Sequence, residues 1–354
     1  MASFWFVISR SGVRFLSPAP NSRPSRGRRY QQRRWGIRRH GFLSLSRAVQ
    51  APGTAMTFST IPVRSGHRAA RWLSLFSLLF LAACRSVDGG PDVLDACKPE
   101  VDNIADNGFD VEIIRYRPAG ESDRAIVIMP PTGGTTFLES RYASLFCEAG
   151  FGVYVVEGWT GMSETSLDLS IHHRLFGRAQ RAIERILEAA PERFIGLMGT
   201  SVGGLHAATA VGRLPRISAA FVIAAGAPVA DILAYTDQDA LQSVRERRIR
   251  EFGFDDQQAY RDALSAVFDW EPLSYAEAAR EKPLGVIVVR GDETVPTIYQ
   301  EQLREAWQPT VDFSVSGFPW SAHRVGIVQA WWLRADDIRD FFVRHASKAD
   351  RNMP

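Results

Sequence analysis

Gly199-Thr200-Ser201-Val202-Gly203 lies directly between an apolar run, Phe194 to Met198, and a stretch of small residues at helical spacing, Leu205 to Val211. A chain so built passes from strand to helix through a sharp turn with a serine at its tip. The backbone at such a serine is strained, and the strand and helix approach closely. The positions two before and two after it must therefore be small, which gives the G-x-S-x-G spacing of a nucleophile elbow with Gly199 and Gly203 as its supports. The following helix aims its N-terminal dipole and free N–H groups at the serine, favouring negative charge on a carbonyl oxygen. Five residues alone are a weak signal in a chain with 28 glycines. The strand before them and the helix after them make the signal specific.

The N-terminal part has a different composition. Residues 1 to 55 contain eleven arginines and no Asp, Glu or Lys, so this segment cannot build a core and is expected to be disordered or not translated. A fresh start stands at Met56, followed by Arg64, Arg68 and Arg71, the apolar run Trp72 to Ala83, and Cys84. That is the order of a charged region, an apolar region of signal-peptide length and a small-residue cleavage site. Its twelve residues, at about 1.5 Å each, fall short of a bilayer core of about 30 Å. Leu81-Ala82-Ala83-Cys84 resembles the lipobox of bacterial lipoproteins. The resemblance implies lipidation of Cys84, removal of residues 56 to 83, and attachment to a bacterial envelope membrane facing the periplasm or exterior. The alternatives are an ordinary secretory signal with a chance cysteine, or a mitochondrial transit peptide.

Without the fourteen arginines of residues 1 to 83, the whole-chain charge of +3 becomes −11 for residues 84 to 354. An acidic domain argues against nucleic acid as a partner, because neutralising phosphates requires a basic surface. Cys97 and Cys147 remain as a disulfide pair or as two buried thiols. No Cys/His spacing suggests a metal site.

Residues 84 to 106, rich in Asp, Gly and Pro, read as a tether, and 107 to 349 as one α/β domain. Expected strands are Val111 to Arg115, Ala125 to Met129, Gly152 to Val156, Phe194 to Met198, Ala219 to Ala224, Leu284 to Val289 and Val311 to Val315. Several are continuously apolar, as strands covered on both faces are. Leu175, Ala179, Ala182, Ile183, Ile186 and Leu187 recur at helical spacing, as do Leu138, Tyr142, Leu145 and Ala149. Between residues 228 and 283 the alternation gives way to helical character, read as a lid over the carboxyl ends of the strands. Phe252, Phe254, Trp270 and Leu273 are its exposed apolar candidates. Its basic run, Arg245, Arg247, Arg248 and Arg250, reads as a solvated helix face.

A serine hydroxyl is nearly inert at neutral pH and needs a base within hydrogen-bond reach and a third group to orient that base. At this point residues 108 to 346 resemble the α/β-hydrolase superfamily, which implies a mainly parallel central sheet flanked by helices and the chain order nucleophile, acid, histidine. Ser201 is then the nucleophile. The acid falls at Asp292, in Gly291-Asp292-Glu293-Thr294-Val295-Pro296 after a strand, with Glu293 as the fallback. The base falls at His323, after the last strand. His206 is expected to be packed, His172 and His173 precede the serine and break the order, and His345 lies on the terminal helix. The oxyanion donors are expected to be Val202 N–H and a second from Pro130-Pro131-Thr132-Gly133-Gly134, where many relatives carry His-Gly. Proline has no N–H, which leaves Thr132 or Gly133.

The expected activity is that of a serine hydrolase cleaving an ester, thioester or amide of a small-molecule or lipid acyl substrate through an acyl-enzyme. No metal or organic cofactor is called for. A second reading is a non-catalytic binding lipoprotein that keeps the fold.

Overall fold

A computed structural model describes residues 97–104, 111–132, 134–157, 166–317 and 322–351, with side chains as far as residue 348. The Arg-rich extension, the signal segment, Cys84 and Gly133 lie outside the described residues.

One sheet of eight strands runs in the order β1-β2-β4-β3-β5-β6-β7-β8. Its strands are β1 (Pro99–Ile104), β2 (Val111–Tyr116), β3 (Arg124–Met129), β4 (Gly152–Val156), β5 (Phe194–Thr200), β6 (Ala219–Ile223), β7 (Leu284–Arg290) and β8 (Val311–Ser316). The first two pair antiparallel, and from β4 onward all neighbours are parallel. All seven strands expected from the sequence are present.

The central strands are apolar because both of their faces are covered. On β3, Ala125, Val127 and Met129 enter one core cluster while Ile126 and Ile128 enter another, the period-two alternation of a strand between two helical layers. One layer holds α1 (Phe137–Glu148) and α9 (Ala322–Arg351). The other holds α2 (Ile171–Ala189), α3 (Val202–Arg213) and α8 (Thr297–Trp307). Among the described residues no helix is long and apolar enough to cross a membrane.

One expectation is corrected at the start of the domain. Residues 97–104, assigned to the tether, carry β1, which pairs with β2 over six residues, and Cys97 is disulfide-bonded to Cys147 with Cα atoms 5.7 Å apart. β1 is half polar because it is an edge strand.

Between β6 and β7 lie α4 (Val229–Tyr235), α5 (Asp239–Phe252), α6 (Gln257–Ala266), a 3₁₀ turn (Pro272–Tyr275) and α7 (Ala276–Arg280). This is the helical insertion read from the sequence. Phe252 is exposed, whereas Trp270 and Leu273 pack against the core. The basic run is not wholly a solvated face, because Arg248 is fully buried. A helix face that looks polar in sequence can turn inward wherever carbonyl and ring acceptors await it.

The disulfide closes a loop between cysteines 50 residues apart and ties the edge strand to α1. Cys97→Ser is expected to lower unfolding stability by about 2–4 kcal/mol, read as a lower urea midpoint. An unchanged midpoint would show that β1 docks without the bond.

Candidate active site

Ser201 sits at φ 56°, ψ −124° between β5 and α3. This conformation is sparsely populated for a residue with a Cβ, and its neighbours impose it. Ser201 N–H donates to the Ile223 carbonyl at 2.8 Å, and its own carbonyl accepts from Leu205 N–H at 3.1 Å. A methyl group at Gly199 would lie 2.3 Å from the Gly203 carbonyl oxygen, and one at Gly203 would lie 2.0 Å from the Met129 carbonyl oxygen. Only glycine fits at either place. The two glycines of the motif thus let α3 lie against the ends of β5 and β3.

His323, the second residue of α9, places Nε2 2.9 Å from Ser201 Oγ and Nδ1 2.7 Å from Asp292 Oδ2. The Asp292 side chain is fully buried. Its Oδ1 accepts from the N–H groups of Thr294 (2.9 Å) and Val295 (3.1 Å), and its Oδ2 also accepts from Gln300 Nε2 at 2.8 Å. Four donors therefore converge on one buried carboxylate and fix its orientation toward the imidazole. The structure brings together the serine, acid and histidine read from the sequence. Glu293 is exposed.

Sequence reasoning missed Gln300. It is buried on α8, with Nε2 also donating to the Val295 carbonyl (2.7 Å) and Oε1 accepting from Val289 N–H (2.9 Å). One amide thus ties β7 to the acid loop and to the acid itself. Its only trace in the sequence is its place on the helix after that loop.

Val202 opens α3, so its N–H has no intrahelical carbonyl. Thr132, at the end of β3, lines the same cavity as Ser201 and Val202. Beyond Thr132, Thr136 caps α1 in a capping box with Glu139, and burial raises the carboxyl pKa values of both Glu139 and Glu157 beside this loop.

The cavity at Ser201 is walled by α2, α3 and the insertion, with Leu175, Phe176, Leu205, Val229, Ile232 and Leu233 among its apolar lining. Its volume is about 60 Å³, well under the ~150 Å³ that admits benzene. His172 also lines it. The other histidines stand apart: His206 is buried against Phe176, His173 lies beside Trp270, and His345 packs on Phe341. Burial pushes the imidazole pKa of His206 down to about 3.

A sequence profile of the prolyl oligopeptidase family (Peptidase_S9) matches residues 180–349, which include Ser201, Asp292 and His323. No curated protein matches the chain in sequence. Among solved structures, uncomplexed acylaminoacyl peptidase of Pyrococcus horikoshii superposes with a TM-score of 0.52 at 17% identity, over 70% of this chain and 41% of that one. Est1E from Butyrivibrio proteoclasticus gives 0.51 at 13% identity, over 70% of this chain and 99% of that one. DcsB, solved with its substrate analogue, gives 0.50 at 16% identity, over 71% and 100%. The chain spans less than half the length of the acylaminoacyl peptidase but matches Est1E and DcsB almost end to end. At these identities the superpositions establish the fold. Together with the strand order and the elbow, they show that the chain has the α/β-hydrolase fold, and the profile match makes residues 180–349 similar in sequence to the prolyl oligopeptidase family.

Proposed function

We propose that this protein hydrolyses a carboxylic ester with a short acyl group through an acyl-enzyme on Ser201. The observation that carries the reading is the unbroken chain of hydrogen bonds from Ser201 Oγ through His323 to buried Asp292. As Oγ forms a bond to the acyl carbon, His323 Nε2 takes the hydroxyl proton, and Asp292 holds Nδ1–H and stabilises the imidazolium. The tetrahedral oxyanion falls between Val202 N–H and the loop carrying Thr132 and Gly133, at the positive end of α3. Collapse expels the alcohol, which leaves with the proton from His323. Water activated by the same imidazole then releases the acid.

The small cavity favours an acetyl- to pentanoyl-sized group over a fatty chain. The profile match to a peptidase family supports an amide as the competing substrate, and the near end-to-end likeness to the esterase-sized folds supports the ester.

We further propose that the protein is a lipoprotein of a bacterial envelope, held by lipid on Cys84. The disulfide favours an oxidising compartment. Cys84→Ser is expected to move the protein from the membrane fraction to the soluble one; unchanged partition removes the anchor.

Ser201→Ala is expected to abolish both hydrolysis of p-nitrophenyl acetate and labelling by a fluorophosphonate probe, and persistent labelling rejects the nucleophile. Gln300→Leu is expected to lower kcat about ten- to a hundredfold by misplacing the acid and the imidazole while KM changes little. A change confined to KM would make Gln300 a packing residue only.

A further inference from the structure

The insertion buries a cation that meets no carboxylate among the described residues. Arg248 is 0% exposed. Its Nη1 donates to His172 Nε2 (3.1 Å) and to the Tyr260 hydroxyl (2.9 Å), and its Nη2 donates to the carbonyls of Ser166 (2.6 Å) and Asp168 (3.1 Å). Its Nε has no partner. Among the described residues no carboxylate forms an ion pair with it, an arrangement that proteins seldom retain without use.

A guanidinium only donates. The lone pair it meets on His172 must therefore be Nε2, which puts the ring hydrogen on Nδ1. Burial, and then the guanidinium, push the imidazole pKa down to about 3, so the ring stays neutral. His172 lines the cavity that contains Ser201, and among the described residues nothing accepts the Nδ1 hydrogen. The cavity is mostly apolar, with Thr132, Thr236, Gln238 and Thr294 as further polar lining, so a donor held at His172 is one of the few groups that can fix orientation there, as a few polar groups do in most small-molecule sites.

We propose that His172, fixed as its Nδ1–H tautomer by Arg248, is a specificity-determining donor that reads an oxygen acceptor, a carbonyl or carboxylate, on the substrate close to the scissile ester. The inference rests on the serine hydrolase reading above. The guanidinium behind the ring adds positive potential in a low-dielectric pocket, which strengthens a bond to an acceptor carrying negative charge. A purely structural role, holding α5 to the start of α2, would leave substrate selectivity unchanged.

The test compares the p-nitrophenyl esters of pentanoate, 4-oxopentanoate and hemisuccinate, each kcat/KM divided by its rate of hydroxide hydrolysis. The wild-type protein is expected to favour the 4-oxo ester, the hemisuccinate or both over pentanoate by about tenfold, the scale of one buried hydrogen bond. The arm that gains names the acceptor. His172→Phe should collapse that ratio to about onefold, whereas His172→Asn, which can still accept from Arg248 and donate from its amide, should restore part of it. Using ratios cancels any change in overall rate, and the wild-type comparison needs no variant to fold. Hydrolysis of pentanoate with no preference for either oxygenated ester overturns the proposal and leaves the hydrolase intact, as does a preference that survives in folded His172→Phe. No hydrolysis of any ester and no labelling of Ser201 overturns the reading beneath it.

Discussion

The backbone of Ser201 stands in a conformation that costs a residue with a side chain on the order of 1–3 kcal/mol, and most of the site's geometry follows from how that cost is met. The N–H of Ser201 completes the ladder to β6, its carbonyl starts the hydrogen bonding of α3, and two glycines let that helix rest against the carbonyl ends of β5 and β3. With the turn fixed on both sides, Oγ needs no flexible side chain to find its place. The same turn makes Val202 the first residue of a helix, so the N–H next to the nucleophile is left free because the strained residue sits where it does.

The sheet then delivers the remaining groups to that point. β3, β5 and β7 run parallel, so the loops carrying Thr132, Ser201 and Asp292 all leave from the same end, and β8 leads back to the same end before α9 presents His323. Distance along the chain, 122 residues between Ser201 and His323, becomes one hydrogen bond because every crossover returns to the same edge of the strands. Within the acid loop the arrangement is tighter. Thr294 and Val295 N–H bind one carboxylate oxygen while His323 and Gln300 bind the other, which leaves Asp292 a single orientation.

Legibility in the sequence followed burial. The central strands were readable because two covered faces demand continuous apolar residues, Ser201 and Asp292 because each follows such a strand, and His323 because it follows the last strand in the expected order. β1 was hidden because Pro99–Ile104, half of it polar, sits at the sheet edge with half of its residues exposed, so nothing in its pattern separates it from a tether. Gln300 was hidden because a glutamine on an amphipathic helix looks the same whether its amide meets water or a buried carboxylate. Arg248 and His172 were set aside for opposite reasons. One stood among arginines that suit a solvated face, and the other stood before the nucleophile in chain order. Only tertiary packing, which places α5 against the start of α2, brings them to the cavity.

That packing also settles what kind of wall the insertion makes. Its apolar residues Val229, Ile232, Leu233 and Leu241 line one side of the cavity, yet apolar contact is non-directional and would accept many placements of α4 and α5. Polar links select one. Asp237 accepts from the Thr294 hydroxyl and donates its N–H to the Glu293 carbonyl, Glu271 accepts from Val229 N–H, and Arg248 gathers two carbonyls, a phenol and an imidazole. The first of these reaches the very loop whose N–H groups hold Asp292, so the wall and the acid share a support. A displacement of the insertion large enough to widen the cavity would strip a buried guanidinium of its acceptors and pull on Thr294 together. The wall of the cavity beside Ser201 and the loop that orients Asp292 therefore share one support at Thr294.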